Sequence, residues 1–429
     1  MVVNGAAALV VVVVARLVTS RSYGEIAQIL GLFFILSMPG SAVLVGVVRR
    51  VSGMRADGQR DRVPMWVARI HRICLVGLGI ELVVVLVTQA WIARMLGLPD
   101  GRGVVLILLA AGVWIMLSVD RGVLQANRRY RGLAGNLLVE GGVRTVLVMA
   151  LVAGGLGVAG YALGVLVSEV VATLQARWLA ARVPREGDAD DVATAGTGAA
   201  AQTEPALARR RLLGDVGAAF VGLALLGLLQ NVDVLILGRL DHGASGSYAA
   251  ISVASKALVF GALALGAYLL PEATIRWNQG GHAIRQMLVT LLFLSVPAAV
   301  LLLISVAVPR QFLTLVFSAR LATAAPAFSS LVLAMAFLSF TVLTTNYLFG
   351  TGSRWIVLLL AGGGIGAVSL ISAAGGEAYA TARADLLVQG LLALAMAGAF
   401  IGVHLRHRGQ HWSRRLGWTA RRAKPLPAG

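Results

Sequence analysis

Residues 73–92 read ICLVGLGIELVVVLVTQAWI, twenty positions whose one charge is Glu81, and the stretch before them, 49–72, holds seven arginines. At about 1.5 Å per residue, twenty helical residues reach about 30 Å, the thickness of the hydrocarbon core of a bilayer. Polarity does not alternate along the segment, as it would in a strand of a transmembrane barrel. The segment therefore reads as a membrane-crossing helix with a basic anchor at one end. The same succession of apolar block and Arg-rich break recurs along the chain. With 58% of its 429 residues hydrophobic, 13% charged and a mean hydropathy of +0.84, the composition excludes an ordinary soluble domain.

Apolar runs of spanning length fall near 2–18, 26–48, 73–92, 103–119, 133–153, 158–178, 213–238, 248–270, 286–308, 325–349, 355–375 and 384–404. These twelve spans predict an all-α membrane protein. The first is short and begins almost at Met1 without a basic flank or a small-residue cleavage site, so a cleaved signal peptide is not expected; a start upstream of Met1 is an alternative. Pro39, Pro297 and Pro326 are candidates for kinks within spans.

The net charge of +18 would suggest nucleic acid in a soluble chain, but here the position of the cations carries the information. One set of alternate connections (49–72, 121–131, 177–211, 276–285, Arg354 and 406–424) holds 27 Lys and Arg, and the other set holds 8. Cytoplasmic loops carry the excess, so both termini are expected in the cytoplasm, with the chain in the cytoplasmic membrane and no nucleic-acid partner. The tail from His404, with seven basic residues and Trp412 and Trp418 among them, reads as an amphipathic segment on anionic membrane lipids. The single Cys74 excludes an intramolecular disulfide.

Residues 183–211 form the one long polar break and read as a flexible cytoplasmic linker. They divide the chain into a lobe at 1–182, a second lobe at 212–404 and a basic tail at 405–429. The halves look related. Arg16-Leu17 with Ser22-Tyr23 recurs as Arg239-Leu240 with Ser247-Tyr248, and Leu124-Gln125-Ala126-Asn127 falls opposite Leu348-Phe349-Gly350-Thr351, all at offsets of 223 to 225. A six-span unit repeated in tandem gives two lobes related by a pseudo-two-fold axis along the membrane normal, an arrangement found in transporters.

On this map the chain resembles the polysaccharide flippase branch of the multidrug/oligosaccharidyl-lipid/polysaccharide exporter superfamily. The resemblance rests on Ala15-Arg16-Leu17 with Tyr23-Gly24, Arg121-Gly122 with Leu124-Gln125-Ala126, and Gly155 through Gly160 between spans 5 and 6. Asn231-Val232-Asp233, Gly246-Ser247-Tyr248-Ala249 and Pro271-Glu272 carry it through the second half. It implies two six-helix lobes around a central cavity and movement of a lipid-linked saccharide between leaflets by alternating access. Glycosyltransferases or a polymerase of polysaccharide assembly are the partners it implies.

Charges inside the spans mark the candidate site, because each costs about 2.5 to 3.5 kcal/mol on insertion scales unless matched or hydrated. Arg144 lies eleven residues into span 5, with Glu140 one turn before it and Glu169 at similar depth in span 6. Either the carboxylates neutralise Arg144, or Arg144 meets a substrate phosphate. Lys256 in span 8 and Asp233 in span 7 are close enough to pair; alternatively Lys256 binds pyrophosphate and Asp233 accepts a proton or Na+. Glu81 has no partner in its own segment and is a candidate coupling carboxylate, as are Glu140 and Glu169. Arg16 and Arg239, at outer helix ends, either snorkel or join Arg144 and Lys256 in binding substrate. An anionic diphosphate cargo would use such cations.

A multidrug/cation antiporter of the same architecture would instead favour carboxylates and aromatic faces. A membrane glycosyltransferase or polysaccharide polymerase needs a sizeable outer loop with carboxylates, whereas the longest outer connection, about 16 residues, has Arg310 and Arg320 and no acid. A scaffold would have little use for Glu81, Arg144 and Lys256 inside spans. His71 stands alone in a basic loop, and no catalytic grouping, metal-ligand cluster or cofactor motif is present in the sequence, so an enzyme is not expected.

Overall fold

The computed structural model describes residues 2–182, 206–278 and 283–422. The first six helices are α1 (Val2–Leu17), α2 (Ser20–Ala56), α3 (Val63–Leu96), α4 (Arg102–Ala126), α5 (Tyr130–Leu151) and α6 (Gly157–Ala181). The second set is α7 (Ala206–Leu240), α8 (Ser245–Asn278), α9 (Ile284–Ala307), the short α10 (Pro309–Val316), α11 (Phe328–Gly350), α12 (Ile356–Ala373) and α13 (Ala378–Arg422). No strand occurs among the described residues. Ten continuous helical stretches among those residues are long and apolar enough to cross a bilayer. One of them, Tyr130–Ala181, contains both α5 and α6, and α1 at 16 residues is the remaining span.

Every predicted span is a helix, but most run further than their apolar run. Arg- and Ala-rich juxtamembrane stretches are good helix formers and continue the turn begun in the bilayer. α2 thus reaches Ala56 and α13 runs on to Arg422, while α7 starts at Ala206, inside the stretch expected to be linker. The rest of that linker, 183–205, and the tail side chains from 406 onward lie outside the described residues. Pro39 and Pro297 are inside α2 and α9. Pro326 is not within a span: it belongs to a 3-10 segment, Ala319–Ala327, that precedes α11. The connection expected to be a loop after α9 is therefore α10 plus this segment.

The packing of the first six helices repeats in the second set. α2 on α4, α4 on α6, α5 on α6, α1 on α5 and α3 on α4 have as counterparts α8 on α11, α11 on α13, α12 on α13, α7 on α12 and α9 on α11. The ends of α4 and α11, Ala126 and Gly350, lie 224 residues apart. The result is twelve membrane helices in two six-helix lobes.

The lobes meet where α2 crosses α7 and the start of α8. A Cβ at Gly246 would lie 2.0 Å from the Ser20 carbonyl oxygen and one at Gly24 2.2 Å from Ser245 Oγ, so only glycine permits the approach. Further along, Gln28 packs against Gly238, Gly31 against Asn231, and a Cβ at Gly227 would lie 3.0 Å from the Ile35 Cα. From Ser20 to Ile35 the seam is continuous, about half the depth of a bilayer at 1.5 Å per residue. Beyond it on the same faces, a Cβ at Gly46 of α2 would meet nothing within 4 Å and Phe220 of α7 is exposed, so the lobes are joined toward one end and part toward the other.

Candidate functional site

Most of the buried charges fall into one cluster in each lobe; Asp120 with His71 and Glu25 with Arg21 stand outside them. In the first lobe Arg144 donates to Glu140 Oε1 and to Glu169, and its Nε lies 3.4 Å from Ser168 Oγ. Arg121, at the end of α4, donates to Glu140 Oε2 at 2.5 Å and to Asn136 Oδ1 at 2.8 Å, and its guanidinium stands over the Trp114 ring. Asn136 is anchored in turn to the Ala172 carbonyl and Gln175 on α6. Two guanidinium groups face two carboxylates, so the cluster is neutral and ties α4, α5 and α6 together. Both carboxylates proposed for Arg144 from sequence hold it, and Arg121 joins them.

The second cluster lies between α7, α8, α11 and α13. Asp233 Oδ2 accepts from Ser252 Oγ at 3.2 Å, and its Oδ1 is 3.6 Å from Lys256 Nζ, too long for a hydrogen bond. Lys256 instead donates to Asn231 Oδ1 at 3.3 Å. Asp385, one turn before Gln389 on α13, accepts from Gln389 Nε2 at 3.0 Å and is within electrostatic reach of Asp233 and Lys256. Gln389 Nε2 also donates to the Leu229 carbonyl, joining α13 to α7. Asp233 and Asp385 are fully buried and Lys256 is 6% exposed. Asp233 Oδ1, Asp385 Oδ2, Gln389 Oε1, both amide atoms of Gln230 and the Thr341, Thr345 and Thr381 hydroxyls are buried without a hydrogen-bond partner. Two carboxylates against one ammonium leave this cluster one negative charge in excess when all three are ionised, and its Asp233 Oδ1 and Asp385 Oδ2 have unused acceptor capacity. Chemically it can take up one monovalent cation or one proton.

The remaining predicted residues lie apart from both clusters. Arg16 crosses between lobes: Nε donates to the Phe317 carbonyl at 3.1 Å and Nη2 to the Leu315 carbonyl, capping the C-terminal end of α10. Arg320 reciprocates by donating to the Arg16 carbonyl at 2.9 Å. Arg16 borders an open cleft of about 760 Å³ with Arg310, Gln311 and Thr314. Its counterpart in the repeat, Arg239, is exposed and makes no hydrogen bond or ion pair. Glu81 on α3 lies over Gly112 of α4, where a Cβ would come within 1.9 Å of its Oε2, and has no ion-pair partner. Residues not singled out from sequence complete the picture. Gln28 donates to the Leu96 carbonyl at 2.9 Å beside the seam. His71 is not alone in a loop, as the sequence suggests: α3 begins at Val63 and buries it with Nε2 3.1 Å from Asp120 Oδ2 where α3 packs on α4. Asp385 and Arg121 are the most consequential of the residues missed. Among the described residues no group of three or more His, Cys, Asp and Glu is placed to hold a metal ion.

No protein-family model and no curated protein matches the chain. Solved structures do. An inward-facing conformation of a multidrug resistance MATE family transporter of the MOP superfamily superposes with a TM-score of 0.65 at 14% identity, covering 94% of this chain and 95% of that one. An outward-facing conformation of such a transporter gives 0.64 at 15%, over 95% and 93%. A MOP superfamily transporter from Pyrococcus furiosus, described as having a binding pocket of reverse polarity that suggests a different function, gives 0.62 at 15%, over 95% and 92%. The chain is therefore a multi-pass membrane protein with the MATE transporter fold.

Proposed function

We propose that this chain is an alternating-access transporter that moves a lipid-linked saccharide, a polyprenyl-diphosphate oligosaccharide or related cell-envelope precursor, across the cytoplasmic membrane. The observation that carries the transport reading is the half-closed seam: two repeated lobes joined from Ser20 to Ile35 and parted beyond. The excess of basic residues on the other face supports placing the joined end outside and the open end in the cytoplasm. Arg16 and Arg320 then act as a latch on the outer side. The cluster around Asp233, Lys256 and Asp385 is the coupling element, binding H+ or Na+ in one state and releasing it in the other. Glu81 is a second coupling carboxylate in this reading. The cargo assignment draws on the ordered motifs, not on Arg144 or Lys256, which are engaged within their lobes.

A second reading, a multidrug/cation antiporter, is favoured by that same matching, since neither Arg144 nor Lys256 has a charge to spare for an anionic cargo. Reconstitution in proteoliposomes separates the two. Protection of a short-chain fluorescent polyprenyl-diphosphate saccharide from external reagent supports the flippase; ethidium efflux driven by H+ or Na+, without saccharide movement, replaces it with the antiporter. In either case Asp385→Asn removes the excess charge, and transport is expected to lose its dependence on the driving ion by about tenfold or more, the scale of a 1.4 kcal/mol change in site occupancy. Unaltered ion dependence in Asp385→Asn and Asp233→Asn alike would end the coupling assignment.

A further inference from the structure

A cleft of about 480 Å³ opens where the end of α2 meets the start of α3, on the face opposite the Arg16 latch. Buried Met54 contributes from α2, and Arg62, Trp66, Arg69 and Arg72 line it from α3 and the turn before it. The three guanidinium groups are exposed, and none makes a hydrogen bond or ion pair. Asp57 and Asp61 lie on the adjoining turn, but neither pairs with any of the three. What sets this arginine trio apart from other exposed arginines is that it converges on one cleft beside an indole.

At 100° per residue, Arg62, Trp66, Arg69 and Arg72 share one side of the helix. The same side continues through Ile73, Val76, Ile80, Val83 and Val87, each between 59% and 78% exposed, and ends near Trp91. Near the membrane boundary the opposite side is packed, with Val67 and His71 facing α4 and His71 held at Asp120; deeper in α3, Leu75, Leu82 and Leu86 on that side are exposed as well. One surface thus carries three free cations at the membrane boundary, an amphipathic ring at headgroup depth, and a continuous aliphatic track leading into the hydrocarbon.

We propose that this surface binds an anionic glycerophospholipid, its phosphate held by Arg62, Arg69 and Arg72 against Trp66 and its acyl chains lying along the track from Ile73 to Val87. The arginines supply forked donors for phosphate oxygens, and the track supplies what a soluble anion could not use. An acidic protein segment would satisfy the cations but has no means of covering the exposed aliphatic length of α3 below the membrane surface. The site is separate from the coupling cluster and from the space between the lobes, and it does not depend on what the protein transports.

The test is contact quenching of Trp66 in nanodiscs of phosphatidylcholine that contain a minor fraction of either brominated phosphatidylglycerol or brominated phosphatidylcholine. The Trp66 contribution is isolated as the difference between the protein and its Trp66→Phe variant. Each arginine is expected to enrich the anionic lipid about fivefold at low salt, so brominated phosphatidylglycerol should quench Trp66 well beyond the zwitterionic lipid. The preference should vanish in Arg62→Gln/Arg69→Gln/Arg72→Gln. Should that variant fail to insert, raising KCl on the unaltered protein must erase the preference. Equal quenching by the two lipids, a preference that survives high salt, or displacement of the lipid by millimolar glycerol phosphate alone would overturn the proposal.

Discussion

Glu169, with one oxygen on Arg144 and the other buried without a partner, shows at the scale of a single residue how the first lobe is held. Breaking a buried ion pair from one side strands the other charge, whereas removing both is far cheaper. Glu169→Gln and Arg144→Met are each expected to destabilise by roughly 3 to 5 kcal/mol, and the double variant by clearly less than their sum, as measured by thermal unfolding in detergent. Additive losses would mean that the pair is not coupled. The charged residues deep in spans were legible in the sequence because a charge in an apolar run is conspicuous. Their partners were not, for one physical reason. Arg121 lies just past the apolar run 103–119, so it counts among loop cations, yet α4 continues to Ala126 and buries it. Asp385 is the second residue of the run 384–404 and reads as a helix end, but α13 begins at Ala378 and carries it to a fully buried position. His71, just before the run 73–92, reads as a loop residue for the same reason, and its partner Asp120 lies one residue past the run 103–119. Helices longer than their hydrophobic cores hide functional residues at the margins of hydropathy.

At the scale of elements, the crossing of α2 with α7 and α8 is set by small residues, and enlarging one should unseat it. Gly246→Val places a side chain where the Ser20 carbonyl stands, and Arg16→Ala leaves the end of α10 without its cap. Both are expected to slow disulfide formation between Ser20→Cys and Ser245→Cys, whose side chains line the crossing, introduced on a Cys74→Ser background, by about tenfold, the effect of 1.4 kcal/mol on the closed population. Cross-linking at the unaltered rate in both would remove the latch. The repeat was readable here from a few short matches at a common offset, because each marks the end of a span and helix ends are where loop chemistry constrains sequence. The helical extensions and α10 were not readable. Amphipathic turns at a membrane surface lack the uninterrupted apolar run on which the span map rests.

At the scale of the molecule, the two lobes repeat one packing plan, carry one charge cluster each and close against each other over half their depth. The clusters differ in a way that gives the lobes different tasks: the first is neutral and rigidly bonded, the second has one carboxylate in excess. In the proposed coupling, binding of a cation or proton to the second cluster alters the packing of α7 and α13, and α7 is the element that meets α2, so ion occupancy and the state of the seam would be linked. Alternating access is tested most directly by pairs of spin-label distances in nanodiscs, Arg21→Cys with Arg239→Cys at the joined end and Arg50→Cys with Arg276→Cys at the parted end, on the Cys74→Ser background. As Na+ is added or pH lowered, one distance distribution should lengthen while the other shortens. Two distributions that stay fixed, or that move in the same direction, would contradict it.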